Sequence, residues 1–363
     1  MAEHTIPGSP DEVTAKWLSE VLSARGTPVD VATAEVSPIG TGQTGATYRV
    51  SATYRSGGDG LPATFVVKLP SQEPEVRARA AFGYKAEHAF YTEVADSVQI
   101  PMPQCFHCDI ASDGTEFVLL LSDMAPAVQG DQIAGCGAED AELAARALAG
   151  LHGPRWCDPA WVDFAGAVMG KPDAASAKGL GDIFTMAVGI TLDKLGARLS
   201  ADERATFTDV AEVMTPWLLL EPDRFSVLHG DFRLDNLLFD PGHTRISVVD
   251  WQTLAVGLPA RDLAYFTASG LEPELRSEIE KDLVAAYHEE LVAYGVGDYD
   301  LDTCWRDYRL GLLQVPLITA MAVAFVESTE RGDEVMVTMI RRSCRAIREL
   351  NTLELIREQS PLR

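Results

Sequence analysis

The alternation of apolar and polar positions predicts a β-rich first part of the chain. From Val31 to Leu69 the β-branched runs VATAEV, ATYRVSATY and ATFVVKL are separated by glycine clusters, and QCFHCDI and TEFVLLL form two further runs. Apolar residues at every second position, with turn formers between the runs, are typical of antiparallel strands. We expect the strands to end near Leu121.

Helical spacing precedes the strands and returns after them. Ser9, Pro10 and Glu12 fit an N-cap, a first-turn proline and a capping-box glutamate at the start of a helix. Residues 73–98, 139–152 and most of the chain beyond them carry helical periodicity.

Together these elements predict an α+β fold with two lobes. The N-terminal lobe, 1–124, holds an antiparallel β-sheet with helices, and the C-terminal lobe, 125–363, is mainly α-helical. The 363 residues, 47% of them hydrophobic, are enough for two packed cores.

Charge and composition narrow the choice of partners. Lys and Arg number 30 and Asp and Glu number 54, so the formal charge is 30 − 54 = −24. Such a charge disfavours nucleic acid and anionic membranes as partners.

The chain does not open with a basic stretch followed by an apolar core, and this favours a cytoplasmic location. The apolar run 310–326 contains Gln314 and Pro316 and is short for a membrane span, so we expect a buried helix. The sequence leaves the oligomeric state open.

We expect the six cysteines to be reduced thiols. Cys105 and Cys108 flank His107, but no second ligand pair at matching spacing completes a zinc site. We expect the pair to be buried strand thiols.

A glycine-rich segment follows the first strand. Gly40, Gly42 and Gly45 spell GxGxxG, which fits a Rossmann pyrophosphate loop, a kinase ATP loop or an ordinary hairpin turn. The run ATYRVSATY after it predicts a strand, whereas the Rossmann loop opens a helix. This order favours a nucleotide-binding loop of the kinase type over redox chemistry with NAD.

Lys68 closes the strand FVVK, where a kinase places the lysine that contacts the ATP phosphates. A carboxylate on the next helix should pair with it. Glu87 is preferred because apolar residues follow it three and four positions later, on a face that can pack on the sheet. Glu75 and Glu93 remain alternatives.

Two further segments carry the most specific signal. VLHGDFRLDNLLFD at 227–240 and ISVVDWQ at 246–252 contain HGD, an Asn five residues after its Asp, and an Asp that ends an apolar strand. The chain thereby resembles the aminoglycoside phosphotransferase and choline kinase-like superfamily. LAGLHGPRW, ending at Trp156, and GLPARDLAYF at 257–266 are most similar to its ecdysteroid-kinase-like branch.

This resemblance implies a protein-kinase-like fold and an ATP- and Mg²⁺-dependent kinase acting on a hydroxyl of a small molecule. Asp231 is then the catalytic base, and Asn236 and Asp250 bind Mg²⁺. Asp262 should tie the catalytic loop to the helix that follows. Lys68 and the glycine loop should contact the ATP phosphates.

The segment VLLLSDMAP at 118–126 looks like the interlobe hinge, where backbone groups of Ser122, Asp123 and Met124 would hydrogen-bond the adenine edge. A strand end followed by a turn is the simpler interpretation. In this superfamily the acceptor pocket is walled by regions that here correspond to about 155–220 and 270–345.

The sequence differs from protein kinases at positions that bear on the kind of substrate. Trp251 and Gln252 replace the Phe and Gly of DFG, no APE motif follows, and 12 positions separate Asp250 from Asp262. Such a span leaves no room for a peptide platform, so a small alcohol acceptor is expected. The stretch 304–326 has Asp307 as its one acid, which favours an apolar or amphipathic alcohol. An inactive nucleotide-binding pseudokinase and an aminoglycoside or macrolide phosphotransferase remain alternatives.

Overall fold

The computed structural model describes residues 6–39 and 45–359, which form two compact units. The first unit takes in the chain up to Ser97, Met102–Pro126 and Val249–Leu254, and the second takes in Val98–Pro101, Ala127–Val248 and the chain from Ala255. The predicted lobes, 1–124 and 125–363, were contiguous, whereas the chain contributes to each unit more than once. The short segment Val249–Leu254 therefore belongs to the same unit as the N-terminal elements, although it is far from them in the sequence.

The first unit is built on an antiparallel sheet with helices, as predicted. Its strands are β1 (Asp30–Pro38), β2 (Gly45–Ser56), β3 (Thr64–Pro70), β4 (Cys105–Ile110) and β5 (Phe117–Ser122), in the order β1-β2-β3-β5-β4. Its helices are α1 (Ala15–Ser23) and α2 (Pro74–Ala89), the latter followed by a π-helical turn (Phe90–Val94) and a 3₁₀ turn (Ala95–Ser97). Each neighbouring pair of strands is antiparallel.

The sheet is covered on both faces, as the alternation along β5 shows. Val118 and Leu120 join the apolar cluster of α1, whereas Phe117 and Leu119 join the cluster around Tyr84 of α2. Because successive side chains of a strand point to opposite faces, α1 and α2 lie on opposite sides of the sheet. Only strand residues that face the same side as Phe117 and Leu119 can therefore contact α2.

The predicted cap of the first helix is wrong. Ser9 makes no capping hydrogen bond, and the Glu12 carboxylate accepts from the N–H of Gly8 at 2.7 Å. The α-helix begins later, where the Thr14 hydroxyl accepts from the N–H of Trp17 at 3.2 Å. Ser9 instead precedes a separate 3₁₀ turn that ends before α1.

The second unit is mainly helical. Its helices are α3 (Ala138–His152), α4 (Ala174–Leu195), α5 (Ala201–Leu218), α6 (Ala260–Gly270), α7 (Pro273–Ala293), α8 (Leu301–Gly311), α9 (Gln314–Phe325), α10 (Glu330–Glu349) and α11 (Thr352–Gln359). Short strands accompany them: β6 (Val128–Gln129), β7 (Ser226–Leu228), β8 (Leu237–Phe239), β9 (Ile246–Val248) and β10 (Ala255–Gly257). The main sheet ends with β5 at Ser122, as expected, and of the short strands beyond it the sequence predicted only the one before Asp250. Strands of two or three residues are too short to show an alternating pattern.

Helix α6 forms the centre of this unit. All its residues are buried, and it packs against α7, α8, α9 and α10. The segment Leu301–Phe325 is long and apolar enough to cross a membrane, but 67% of its most apolar window is buried inside the protein. It is a core element, as expected for the run 310–326.

Candidate functional site

Lys68 is placed by the alternation along β3. Phe65, Val67 and Leu69 face the α1 side of the sheet, so Lys68 faces α2. Its Nζ lies 2.7 Å from Glu87 Oε2 and 2.9 Å from Asp250 Oδ1. Burial opposes its charge, but the two carboxylates outweigh burial and raise the pKa of Lys68. The ammonium group is therefore a fixed positive charge.

The structure selects Glu87 among the three candidate carboxylates. Glu87 is 1% exposed on the sheet-facing side of α2, whereas Glu75 and Glu93 are exposed to solvent. Burial raises the pKa of Glu87, and the charge of Lys68 opposes that rise. The predicted pairing of lysine and glutamate is present as a buried ion pair.

The segment Val249–Leu254 packs on α2 and its extension. The Trp251 ring stacks on Phe90, with ring centres 3.5 Å apart and planes 6° from parallel. Glu87 accepts from the N–H of Trp251 and from Gln252 Nε2, both at 3.4 Å. Asp250 has φ 69°, a left-handed conformation in which Asp is tolerated. Trp251 stands where protein kinases have the Phe of DFG. Its contacts thus hold the preceding residue, Asp250, beside Lys68.

The loop between β7 and β8 carries the HGD motif. The N–H groups of His229 and Gly230 donate to the two carboxylate oxygens of Asp262, at 2.6 and 3.0 Å. Asp262 is fully buried in the first turn of α6. Gly230 has φ 81°, which disfavours a residue with a Cβ. The expected tie between the loop and the following helix is present.

Three side chains hold the Asp231 carboxylate. The Tyr265 hydroxyl donates to Oδ1 at 2.5 Å, and Arg233 Nε and Asn236 Nδ2 each donate to Oδ2 at 3.0 Å. Burial first, and then the charge of Asp231, raise the pKa of Tyr265 well above its ordinary value, so the phenol stays a donor. Asn236 also donates to the main-chain oxygen of Asp231 at 2.8 Å. The carboxylate is thus fixed in one orientation.

The hinge candidates lie at the end of β5. The N–H of Ser122 already donates to Gln104 at 2.9 Å, which argues against it as an adenine contact. Asp123 accepts from Arg49 Nε at 2.6 Å. Burial opposes its charge, but the hydrogen bonds from Arg49 and the N–H of Ala125 lower the pKa of Asp123. Its side chain therefore has a structural partner, and the prediction for its backbone stays a prediction.

Met124 is the third hinge candidate. The Ser122 hydroxyl donates to its sulfur at 3.7 Å.

In the glycine segment, Gly45 begins β2, and Gly40 and Gly42 lie outside the described residues. Lys68, Glu87 and Asp250 are therefore the nucleotide-site candidates that the structure brings together.

The sequence pattern of the phosphotransferase enzyme family matches residues 35–299. The chain belongs to this family. The match covers both the Lys68 strand and the HGD loop.

Solved structures support the same fold. The GDP complex of aminoglycoside 2'-phosphotransferase-IIIa has a TM-score of 0.52 at 15% identity, covering 91% of this chain and 98% of that one. A microcompartment-associated aminopropanol kinase has a TM-score of 0.52 at 18% identity, covering 93% and 99%. A Plasmodium vivax ethanolamine kinase has a TM-score of 0.51 at 12% identity, covering 85% and 82%. The predicted fold of the family is confirmed.

Curated relatives match over a short stretch. Acyl-CoA dehydrogenase family member 11 of Gallus gallus is 39% identical over 72 residues, 18% of this chain and 9% of that protein. Its Homo sapiens counterpart is 42% identical over 59 residues, 15% and 8% of the two chains. The chain thus spans less than a tenth of these relatives' length.

Sequence reasoning missed several residues that contact the candidate site residues. Tyr265 stands three positions after Asp262 on α6, and such spacing places both on one helix face, so a signal was present. Trp251 was noted only as a departure from DFG. No local signal connects Arg49 of β2 with Asp123, because the two are 74 positions apart.

The chemistry of the predicted metal ligands fits Mg²⁺. Asn236 turns its amide nitrogen toward Asp231, which leaves the amide oxygen for other contacts. The Asp250 side chain is 41% exposed, and one oxygen contacts Lys68. In the described part of the chain no cluster of three or more His, Cys, Asp or Glu forms a metal cage. Mg²⁺ binds one or two protein oxygens together with substrate phosphates and needs no such cage.

Proposed function

We propose that this protein is an ATP- and Mg²⁺-dependent kinase that transfers the γ-phosphate to a hydroxyl group of a small molecule. The observation that carries the proposal is Lys68, held by Glu87 at 2.7 Å and by Asp250 at 2.9 Å. A lysine oriented by a helix glutamate is the arrangement that contacts nucleotide phosphates in kinases. An inactive relative usually lacks a base or metal residue, whereas Asp231, Asn236 and Asp250 are all present in this chain.

Asp231 takes the proton of the acceptor. As the hydroxyl oxygen bonds to the γ-phosphorus, its O–H bond breaks and the proton passes to the Asp231 carboxylate, while the bond to ADP breaks. Tyr265, Arg233 and Asn236 fix the carboxylate before reaction, which reduces the reorganisation that the transition state needs.

Lys68 donates hydrogen bonds to phosphate oxygens, and its fixed charge offsets the charge that develops on them. Asn236 and Asp250 are the residues that would hold Mg²⁺. The bound ion would neutralise phosphate charge. Trp251 keeps the Asp250 backbone in its left-handed conformation by stacking on Phe90.

We propose an apolar or amphipathic alcohol as the acceptor. Asp307 is buried and forms a bidentate ion pair with Arg224 at 2.7 Å, so it offers no carboxylate to a polycationic sugar. Helices α4 and α9 pack on each other, and apolar side chains on them stay exposed. These are Ile183, Met186 and Phe325. Apolar walls with few polar groups suit a hydroxylated hydrophobic molecule.

The names of similar proteins support a small acceptor, since they include an aminopropanol kinase and an ethanolamine kinase. Membership of the ecdysteroid-kinase-like branch and a cytoplasmic location stay predictions from the sequence.

The test is ADP release by the purified protein with a panel of steroid-like alcohols, macrolides, choline-like amines and aminoglycosides. Each is measured with ATP and with GTP, with Mg²⁺ and with EDTA. We expect Mg²⁺-dependent turnover of an apolar alcohol that is lost in Asp231→Asn. Binding of ATP without turnover of any alcohol would favour the pseudokinase, and turnover of kanamycin-type compounds alone would overturn the acceptor class.

A further inference from the structure

Arg261 carries a charge that no described residue neutralises by an ion pair or hydrogen bond. It lies in the first turn of α6, its side chain is 6% exposed, and its Nε is buried without a hydrogen-bond partner. Its guanidinium carbon lies 4.0 Å over the ring of Trp217. The neighbouring Asp262 attracts it electrostatically, but both Asp262 oxygens accept N–H groups of the HGD loop. Burial lowers the pKa of Arg261 to about 10, which keeps the group charged at neutral pH.

Arg261 lines a cavity of about 60 Å³ in the second unit. Leucines and a proline from the end of α5 and the following loop form much of its wall, with Phe225 and Leu258. Lys171 also lines it, with Nζ 4.5 Å from the centre of the Phe225 ring. Arg224 at the same cavity is already paired with Asp307 and Glu221. The cavity thus has a partly apolar wall that also contains the paired residues Glu221 and Arg224, and two cations, Arg261 and Lys171, that form no ion pair in the described chain.

This combination selects one class of ligand. A guanidinium group that lies over an aromatic ring keeps its N–H groups in its own plane, above the ring, and their fork matches a planar carboxylate through two parallel hydrogen bonds. A water needs about 10–15 Å³ of such space, so the cavity has room for about four to six water-sized groups, enough for a carboxylate with a short chain but not for a sugar or a nucleotide. The apolar walls favour a hydrocarbon body over the hydrated surface of inorganic phosphate. We propose that Arg261 and Lys171 bind the carboxylate of a small aliphatic acid in this cavity.

The site is distinct from the residues proposed for phosphoryl transfer, and it does not depend on that proposal. It lies next to them along the chain, since Asp262 follows Arg261 and holds the HGD loop. An acid bound at Arg261 would therefore stabilise the turn from which Asp262 projects.

Butyrate is the probe, added to the full chain without nucleotide and compared with chloride at equal ionic strength. We expect saturable heat in calorimetric titration and a rise in the thermal midpoint. Arg261→Met should weaken butyrate binding at least ~10-fold, because a charge-assisted bidentate contact is lost. Without butyrate the same variant should still fold, because methionine keeps apolar contact with Trp217 and no ion pair of the described chain is lost.

Lys171→Met, at a half-buried position, provides a second variant and should weaken binding several-fold while folding normally. Lys178→Met is the matched control, because this lysine is exposed on α4 and pairs with Asp182. It should bind butyrate as the wild type does. The proposal is overturned if butyrate acts no differently from chloride, or if Arg261→Met binds it unchanged. Arg261-dependent binding of inorganic phosphate but not of butyrate would overturn the carboxylate class.

Discussion

Replacing Asp262 by asparagine tests how the HGD loop is held. Asp262 is fully buried, and its two oxygens accept from the N–H groups of His229 at 2.6 Å and Gly230 at 3.0 Å. The side-chain amide of asparagine has one oxygen and one NH₂ group. In either orientation one main-chain N–H therefore faces another donor, with no water to replace the lost acceptor.

The magnitude follows from these two contacts. A hydrogen bond to a charged acceptor contributes about 1.5–3 kcal/mol, and a buried unsatisfied donor costs about 1–3 kcal/mol more. Removing a buried charge offsets part of this loss, so we expect Asp262→Asn to destabilise the loop by about 3 kcal/mol. This is a large share of the ~5–15 kcal/mol that stabilises a typical domain.

The assay is amide hydrogen exchange of peptides that contain 227–231, together with kcat. At about 3 kcal/mol, exchange of the His229 and Gly230 amides should become roughly 100-fold faster, since each 1.4 kcal/mol is a factor of ten. We expect kcat to fall ~10²-fold, because the loop that orients Asp231 is displaced.

Asp240→Asn is the matched control. Asp240 also accepts two main-chain N–H groups, those of Thr244 and Arg245 at 2.7 Å, but both donate to the one oxygen Oδ1 in a surface turn, so asparagine keeps an acceptor for both. Exchange in 227–231 and kcat should stay near wild type in this control. If Asp262→Asn behaved like Asp240→Asn, the loop would not depend on the Asp262 carboxylate and our reasoning would be refuted.

Three further outcomes are expected. Asp231→Asn should lower kcat at least ~10²-fold with ATP affinity within a few-fold, because a general base acts in the transition state; unchanged turnover would remove Asp231 from the mechanism. Lys68→Met and Glu87→Gln should together lose far less kcat/KM than the sum of their separate losses, and additive losses would show that the ion pair does not act as a unit. Asp250→Ala should abolish the tightening of ATP binding by Mg²⁺, measured by titration with and without EDTA; tightening that persists would contradict the metal assignment.

The sequence by itself determined the family and the residues that we propose for catalysis. Asp231 and Asn236 stand five positions apart in one loop, and Asp250 ends a short apolar run, so local spacing alone exposed them. The antiparallel sheet was equally visible, because long strands such as β1 and β3 alternate between buried and more exposed residues.

Tertiary structure decided which groups meet. Helical periodicity left Glu75, Glu87 and Glu93 open, and only the docking of α2 on the sheet buries Glu87 beside Lys68. Tyr265 reaches Asp231 across 34 positions, through contacts that no local pattern encodes.

Arg261 shows the same limit most clearly. In the sequence it is one arginine between Ala260 and Asp262 at the start of a helix. Its burial, its stacking on Trp217 and the absence of an ion pair with any described residue arise from elements that converge from distant parts of the chain. Periodicity reports which face of an element is buried, whereas the partner of a buried charge is set by packing between elements.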